Sequence, residues 1–283
     1  MRWDKDAEKE LKKVPFFVRG LARKKVEEHA RSLGLEEVSI KLFMEAENRF
    51  KTVMAGKSSD ELMAMMPRPN KPGTSMLIIE TCQHEMSRCP YVLTNTWEIR
   101  ETIERWAQHD DINERLRRRV ESDIILYHNK FRVSISACPD GCSRPQIADI
   151  GIIAFVRPRL NMDTCTGCGI CVDACPDNAI HVENNIACFD RQRCQGCISC
   201  RDACPMGSIS LSDVGLRVLA GGKLGRHPRF ADTVGEFKDI KDAMEFISKA
   251  VNAYIEESST SERFADFWVR SKLGLNLAQQ QEA

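Results

Sequence analysis

A chain of 283 residues with 42% hydrophobic content is long enough for one or two domains with substantial cores. Lysine plus arginine equals aspartate plus glutamate at 41 each, a balance that argues against a nucleic-acid or membrane-surface protein, since both carry a basic excess. Thirteen cysteines accompany a start, MRWDKDAEKE, that has no apolar core of an export signal, and no apolar run approaches a membrane span. The expectation is a cytoplasmic chain whose clustered thiols serve metal.

In chain order, residues 4–13 and 18–33 read as helices, the second from Val18, Ala22, Val26 and Ala30 at helical spacing with Gly34 as its stop. Val38, Ile40 and Leu42 alternate and predict a strand. PRPNKPG (67–73) is a loop before MLIIE (76–80), a short buried strand leading to Cys82. Helical patterns cover 95–107 and 112–122, with Arg117, Arg118 and Arg119 expected on a solvated face. FRVSISA (131–137) and ADIGIIAFV (148–156) read as strands, and LRVLA (216–220) resumes that pattern before the turn Gly221-Gly222. An amphipathic helix over 236–257 follows, then a short helix whose Phe264, Phe267 and Trp268 are expected in the core.

Two cassettes carry the strongest signal. CTGCGICVDACP (165–176) and CQGCISCRDACP (194–205) are both C-x2-C-x2-C-x3-C-P. In that spacing three thiolates wrap one cubane cluster while the fourth crosses to its neighbour. Cys165, Cys168, Cys171 and Cys204 are therefore assigned to one [4Fe-4S] cluster, and Cys194, Cys197, Cys200 and Cys175 to the other. Zinc, the alternative, needs two C-x2-C pairs and no third cysteine or crossing ligand. Gly167, Gly169, Gly196 and Ser199 leave room for backbone amides near the inorganic sulfides. This segment resembles bacterial two-cluster ferredoxins along its whole length, which implies electron carriage.

Of the five other cysteines, Cys188 lies in the alternating stretch IACF and reads as a small buried hydrophobe. The remaining four make two pairs, in TCQHEMSRCP (81–90) and ACPDGC (137–142). Four thiolates on two loops suit a third cubane cluster, with Gly141 and Pro139 shaping the tight turn. His84 is an alternative ligand to Cys82.

ACPDGCSRPQIADIGIIA resembles the C-P-x-G-C signature of the siroheme-containing sulfite and nitrite reductases. The resemblance implies that Cys82, Cys89, Cys138 and Cys142 hold a [4Fe-4S] cluster and that Cys142 also bridges to siroheme iron. VLAGGKLGRHPRF (218–230) is similar to the family's glycine-rich strand and basic segment, and RFADFWVR (263–270) to its C-terminal helix. By that likeness Arg88, Arg144, Lys223 and Arg226 are the candidate catalytic anion contacts. Arg144, Lys223, Arg226 and Arg229 are candidates for the siroheme carboxylates. A ferredoxin module in this position is that of dissimilatory and anaerobic sulfite reductase subunits.

Two departures stand out. The upstream pair is C-x6-C, one residue longer than the family's C-x5-C, and residues 1–75 are too short for the first of the family's two pseudo-repeats. Instead VPFFVRGLARKKVEEHARSLGLEEVSI (14–40) resembles the small domain that ends the B subunit of light-independent protochlorophyllide reductase.

The expected class is α+β: a helical cap over 1–60, a nitrite/sulfite reductase-like body over 61–156 plus 214–283, and an inserted ferredoxin-like module over 157–213. The expected activity is multi-electron reduction of a small oxyanion, sulfite preferred, using three [4Fe-4S] clusters and siroheme. The alternative is an electron-transfer subunit with no substrate site of its own. Either way a partner is expected: a second copy or another redox subunit to complete the site, and an electron donor such as a ferredoxin or flavoprotein. No nucleic acid and no membrane span are expected.

Overall fold

The computed structural model describes residues 1–14, 16–54, 66–82, 89–260 and 262–272. The chain divides into two compact units, Met1–Met63 and Ala64–Ala283. No helix among the described residues is long and apolar enough to cross a membrane.

In the first unit, β1 (Arg2–Trp3) pairs in parallel with β2 (Glu37–Val38), and three helices follow the chain: α1 (Lys5–Lys13), α2 (Phe16–Ser32) and α3 (Ile40–Met54). Ala7, Leu11, Val26, Ala30, Val38, Leu42 and Phe43 form its core. Trp3 donates its indole N–H to Glu27 at 2.8 Å, with the Arg23 guanidinium 5.2 Å over the ring. The alternation of Val38, Ile40 and Leu42 suggested a strand, but the strand stops at Val38. Ser39 accepts the Leu42 N–H at 3.3 Å and starts the helix, so Leu42, Phe43 and Ala46 instead share a helical face on the core.

The second unit is built on a five-stranded sheet. In chain order its strands are β4 (Leu77–Thr81), β6 (Phe131–Ser136), β7 (Ile150–Phe155), β12 (Gly215–Ala220) and β13 (Asp232–Phe237), arranged β13-β12-β7-β6-β4. β4, β6 and β7 run parallel; β12 and β13 are antiparallel to their neighbours. β7 is buried at all six positions, as its unbroken apolar run requires. α4 (Thr96–His109), α5 (Ile112–Arg117), α8 (Ile240–Glu257) and α9 (Phe264–Ser271) supply the rest of the core. Phe264, Phe267 and Trp268 are buried, with Phe264 edge-on to Phe131 at 5.0 Å and to Tyr254 at 5.3 Å. β3 (Arg68–Pro69) and β5 (Ile124–Ile125) form a small side ribbon.

Three expectations are corrected here. The helix expected over 112–122 ends at Arg117. Arg119 is no solvated charge: its Nη2 donates to the Ser259 carbonyl at 2.9 Å, and the guanidinium lies 3.9 Å over the Tyr254 ring. The helix expected from 236 starts at Ile240, because Asp239 caps it by accepting the N–H groups of Lys241 and Asp242 at 2.8 and 3.1 Å. That leaves 232–237 free to add the edge strand β13, with Phe237 packing from the sheet.

Between β7 and β12 the chain leaves the sheet on β8 (Pro158–Leu160) and returns on β11 (Ile209–Leu211), which pair antiparallel. This stalk bears α6 (Ile170–Asp173), the hairpin β9 (Ile180–Glu183) and β10 (Ile186–Phe189), and α7 (Ser199–Ala203).

The crossover from β6 to β7 (137–149) folds back along the sheet. Ser134 Oγ donates to the Ser143 carbonyl at 2.6 Å, and Ser143 Oγ donates to the Ile135 carbonyl at 2.8 Å. It passes so close to Gly151 that a Cβ there would lie 2.4 Å from the Pro145 carbonyl oxygen. Gly151→Ala is expected to destabilise the chain by about 1–3 kcal/mol, read as a lowered midpoint in thermal or urea unfolding. An unchanged midpoint would show that the crossover is not fixed by this contact.

Candidate functional site

None of the thirteen cysteines forms a disulfide. In the insert the thiols fall into two groups that cross between the cassettes. A cavity is lined by Cys165, Cys168, Cys171 and Cys204, and these thiols lie close enough to add to the burial that raises the Cys171 thiol above its usual range. Burial pushes Cys200 up to about 12, with Cys197, Cys194 and Cys175 adding to it. The two crossing cysteines are treated alike. Cys175 Sγ accepts the Ala179 N–H at 3.3 Å, and the Cys204 sulfur faces the N–H of Ser208, four residues on in each case.

Each group thus joins three thiols of one cassette to the crossing thiol of the other, the donor set of a cubane cluster, whereas zinc needs neither a third cassette cysteine nor a crossing ligand. The glycines do more than admit amides. Gly167 (φ 64°) packs where a Cβ would lie 2.5 Å from the Asn185 carbonyl oxygen, and Gly196 (φ 87°) where it would lie 2.5 Å from that of Val156.

The second thiol set gathers at the end of the sheet where β4 and β6 finish. Cys82 follows β4 directly; its N–H donates to the Ile135 carbonyl at 3.0 Å, and its Sγ accepts the Ala137 N–H at 3.2 Å. Cys138 is buried just past β6. Burial pushes its thiol to about 11, and Cys89 and Cys142 are near enough to add to the shift. Cys142 is exposed at the far side of a turn through Gly141 (φ 64°), where the Gln146 amide occupies the space a Cβ would take. The structure thus brings Cys89, Cys138 and Cys142 together, with Cys82 against the segment that carries Cys138. His84 and Arg88 lie outside the described residues.

Of the described basic candidates, Arg144 lies on the crossover, and Lys223, Arg226 and Arg229 lie on the connection between β12 and β13. Arg144 is exposed in left-handed backbone (φ 61°). Residues 223–229 close into a loop through reciprocal Lys223–Arg229 backbone hydrogen bonds of 3.0 and 2.9 Å, and Gly222 N–H donates to the Ala148 carbonyl at 3.0 Å. Lys223 is ion-paired to Asp266, and Arg229 to Asp232 while also donating to the Gly221 carbonyl at 2.7 Å. Arg226 is exposed.

Another basic group went unread in the sequence. Arg157, Arg191 and Arg217 line a cleft with Pro139, Gln146 and Cys194, bridging the body turn and the second cassette. Arg157 Nη1 donates to the Cys194 carbonyl at 3.0 Å and Arg217 Nη1 to Gln195 Oε1 at 3.0 Å. Both also reach Glu236; burial opposes ionisation there, but their hydrogen bonds prevail and hold its carboxyl below the usual range. The one available signal was Arg217 itself, a charge inside an apolar strand.

Cys188 is a correction. It is half-buried rather than buried, because the hairpin's alternation turns Ala187 inward and Cys188 outward, beside exposed His181 and Glu183.

A mixed α+β body with one thiol set at its sheet end and a cassette pair inserted beside it defines an iron–sulfur redox protein. Residues 76–271 match the nitrite and sulphite reductase 4Fe-4S domain, and the chain belongs to that family. Residues 3–46 match the domain of the proto-chlorophyllide reductase 57 kD subunit. The coenzyme F420-dependent sulfite reductase of Methanocaldococcus jannaschii is 36% identical over 155 residues, covering 54% of this chain and 25% of that protein. An anaerobic sulfite reductase subunit of Salmonella typhimurium is 37% identical over 65 residues, covering 23% and 19%. A light-independent protochlorophyllide reductase subunit of Jannaschia sp. is 50% identical over 50 residues, covering 18% and 10%. The chain therefore spans a quarter or less of each of these relatives. In fold it is similar to dissimilatory sulfite reductase I, with a TM-score of 0.50 at 18% identity over 72% of this chain and 52% of that one.

The thiol grouping is checked by substitution. Cys204→Ser is expected to disturb the cluster of Cys165, Cys168 and Cys171, and Cys175→Ser that of Cys194, Cys197 and Cys200, each seen as loss of one of two EPR signals in the reduced protein. The opposite pairing would overturn the crossed arrangement.

Proposed function

We propose that this chain is the iron–sulfur subunit of a siroheme-dependent reductase that carries out multi-electron reduction of a small oxyanion, sulfite in preference. The observation that carries the reading is the body thiol set, with Cys138 buried and Cys142 exposed on the same turn. The four sulfurs of Cys82, Cys89, Cys138 and Cys142 would hold a [4Fe-4S] cluster, and Cys142, facing outward, would bridge it to siroheme. When bound, these groups supply one-electron steps and an iron at which the oxyanion is held. Sulfite to hydrogen sulfide takes six electrons and eight protons and releases three waters. The electrons come from an external reductant, a reduced ferredoxin or flavoprotein.

The chain's own residues set the direction of supply. Val156 N–H donates to the Gly196 carbonyl at 2.9 Å, and Arg157 holds the Cys194 carbonyl, so the second cassette lies against the body. Cys168 of the first cassette is exposed, beside exposed Ile170, which makes that cassette the side a donor meets. Among the described candidates, Arg144, exposed on the crossover two residues past Cys142, is the group left to meet siroheme carboxylates or the anion; Arg226 is exposed on the separate loop 223–229. A second copy or a different subunit would supply the rest of the basic pocket.

One observation favours the other reading, an electron-transfer subunit with no substrate site: Lys223 and Arg229 are already committed to Asp266 and Asp232. The visible spectrum of anaerobically purified protein separates the two. Siroheme bands in the red and near about 390–400 nm are expected. About twelve irons per chain without those bands would overturn the siroheme reading in favour of electron transfer alone. Cys142→Ser is expected to abolish the body cluster while both ferredoxin-type EPR signals persist; loss of all three in a folded protein would refute the ligand partition.

A further inference from the structure

The hairpin β9–β10 carries chemistry that the redox centres do not use. His181 and Cys188 are direct cross-strand partners, and Glu183 lies two residues from His181, so the three share the outer face. Their ligand atoms, an imidazole nitrogen, a thiol sulfur and a carboxylate oxygen, all lie within 4.8 Å of one another. On the inner face Val182 and Ala187 line the cavity with Cys165, Cys168, Cys171 and Cys204. Cys188 thus points away from that thiol set.

We propose that His181, Glu183 and Cys188 form a mononuclear site for a divalent transition-metal ion of the zinc type, with its fourth position open to water or another small ligand. Tetrahedral coordination with bonds of about 2.0–2.3 Å brings donor atoms to roughly 3.3–3.8 Å apart. Closing from within 4.8 Å needs about 1 Å of side-chain movement, which exposed His181 and Glu183 are free to make. The backbone beneath is fixed. Asn184 and Asn185 (φ 51° and 59°) form the left-handed two-residue turn that matches strand twist, and Gly167 packs against Asn185. One soft thiolate with one imidazole and one carboxylate selects zinc-like ions over magnesium or calcium. Binding replaces the thiol proton of Cys188 with the metal and releases that proton to solvent. The site is one β-layer from the first cassette and needs neither siroheme nor substrate, so failure of the siroheme reading leaves it intact.

The test uses full-length, anaerobically purified, iron-loaded protein, cleared of loosely bound metal and dialysed against Zn2+, with zinc and iron counted in the same samples. About one zinc per chain is expected, and its X-ray absorption should show one sulfur at about 2.3 Å with nitrogen or oxygen at about 2.0–2.1 Å. Cys188→Ala and His181→Ala should each weaken zinc binding by about tenfold or more at unchanged iron content. Zinc binding that both variants leave unaltered, a zinc spectrum lacking sulfur, or no bound zinc would overturn the proposal. Loss of iron in parallel with zinc in Cys188→Ala would also overturn it, by assigning Cys188 to a cluster.

Discussion

β7 is buried along its whole length, and the redox features of the second unit are fixed relative to its two ends. At its start, Gly151 admits the Pro145 backbone at a distance no side chain would allow, which holds the crossover bearing Cys138 and Cys142 against the sheet. Past its end, Val156 grips the Gly196 carbonyl and draws in the second cassette. A thiol set drawn from separate loops binds a cluster at lower cost when the fold already brings it together, because the closing of each loop costs entropy that the metal bonds must otherwise offset. One rigid strand lowers that cost by anchoring the crossover at one end and the second cassette at the other.

Charge is placed to support the same strands. The Arg132–Glu80 ion pair, 2.8 Å and largely buried, ties β6 to β4, the two strands that deliver Cys138 and Cys82. A buried pair adds little net stability, but loss of one partner strands the other, at a cost of about 3–5 kcal/mol. Its effect is to fix which residues face each other, and so where the two cysteines emerge. Arg157 and Arg217 act similarly at the other contact: sharing Glu236, they hold the 194–195 segment to the sheet. A net charge of zero conceals this local order.

How far the sequence could be read follows from the length scale of each feature. The cassettes were legible because ligand spacing is a local constraint, and the crossed grouping of Cys204 and Cys175 follows from it. The apolar run of β7 was legible because burial on both faces removes alternation. What failed depended on single capping residues or on distant partners. Ser39 turns an apparent strand into a helix, and Asp239 frees 232–237 to become β13. Arg119 reads as a surface charge until Tyr254 is placed beneath it. Cys188 reads as core until its register against His181 is known, since a one-residue shift in a hairpin exchanges the faces.

The position of the insert is a consequence of topology. β6 and β7 run parallel, so the end of β7 lies at the same edge of the sheet as the end of β6, where Cys138 emerges. β12 then returns antiparallel, with Gly215 opposite Phe155, so the two ends of the insert meet at that edge and the β8–β11 stalk closes them. Joined ends let an insertion of this size grow without disturbing the strands on either side. An insertion at the β12–β13 connection would have emerged at the opposite edge, beyond Ala220, where the loop 223–229 lies. The β7–β12 connection brings the insert out at the edge where the body thiols lie, and the contacts of Val156, Arg157 and Arg217 then seat the second cassette there.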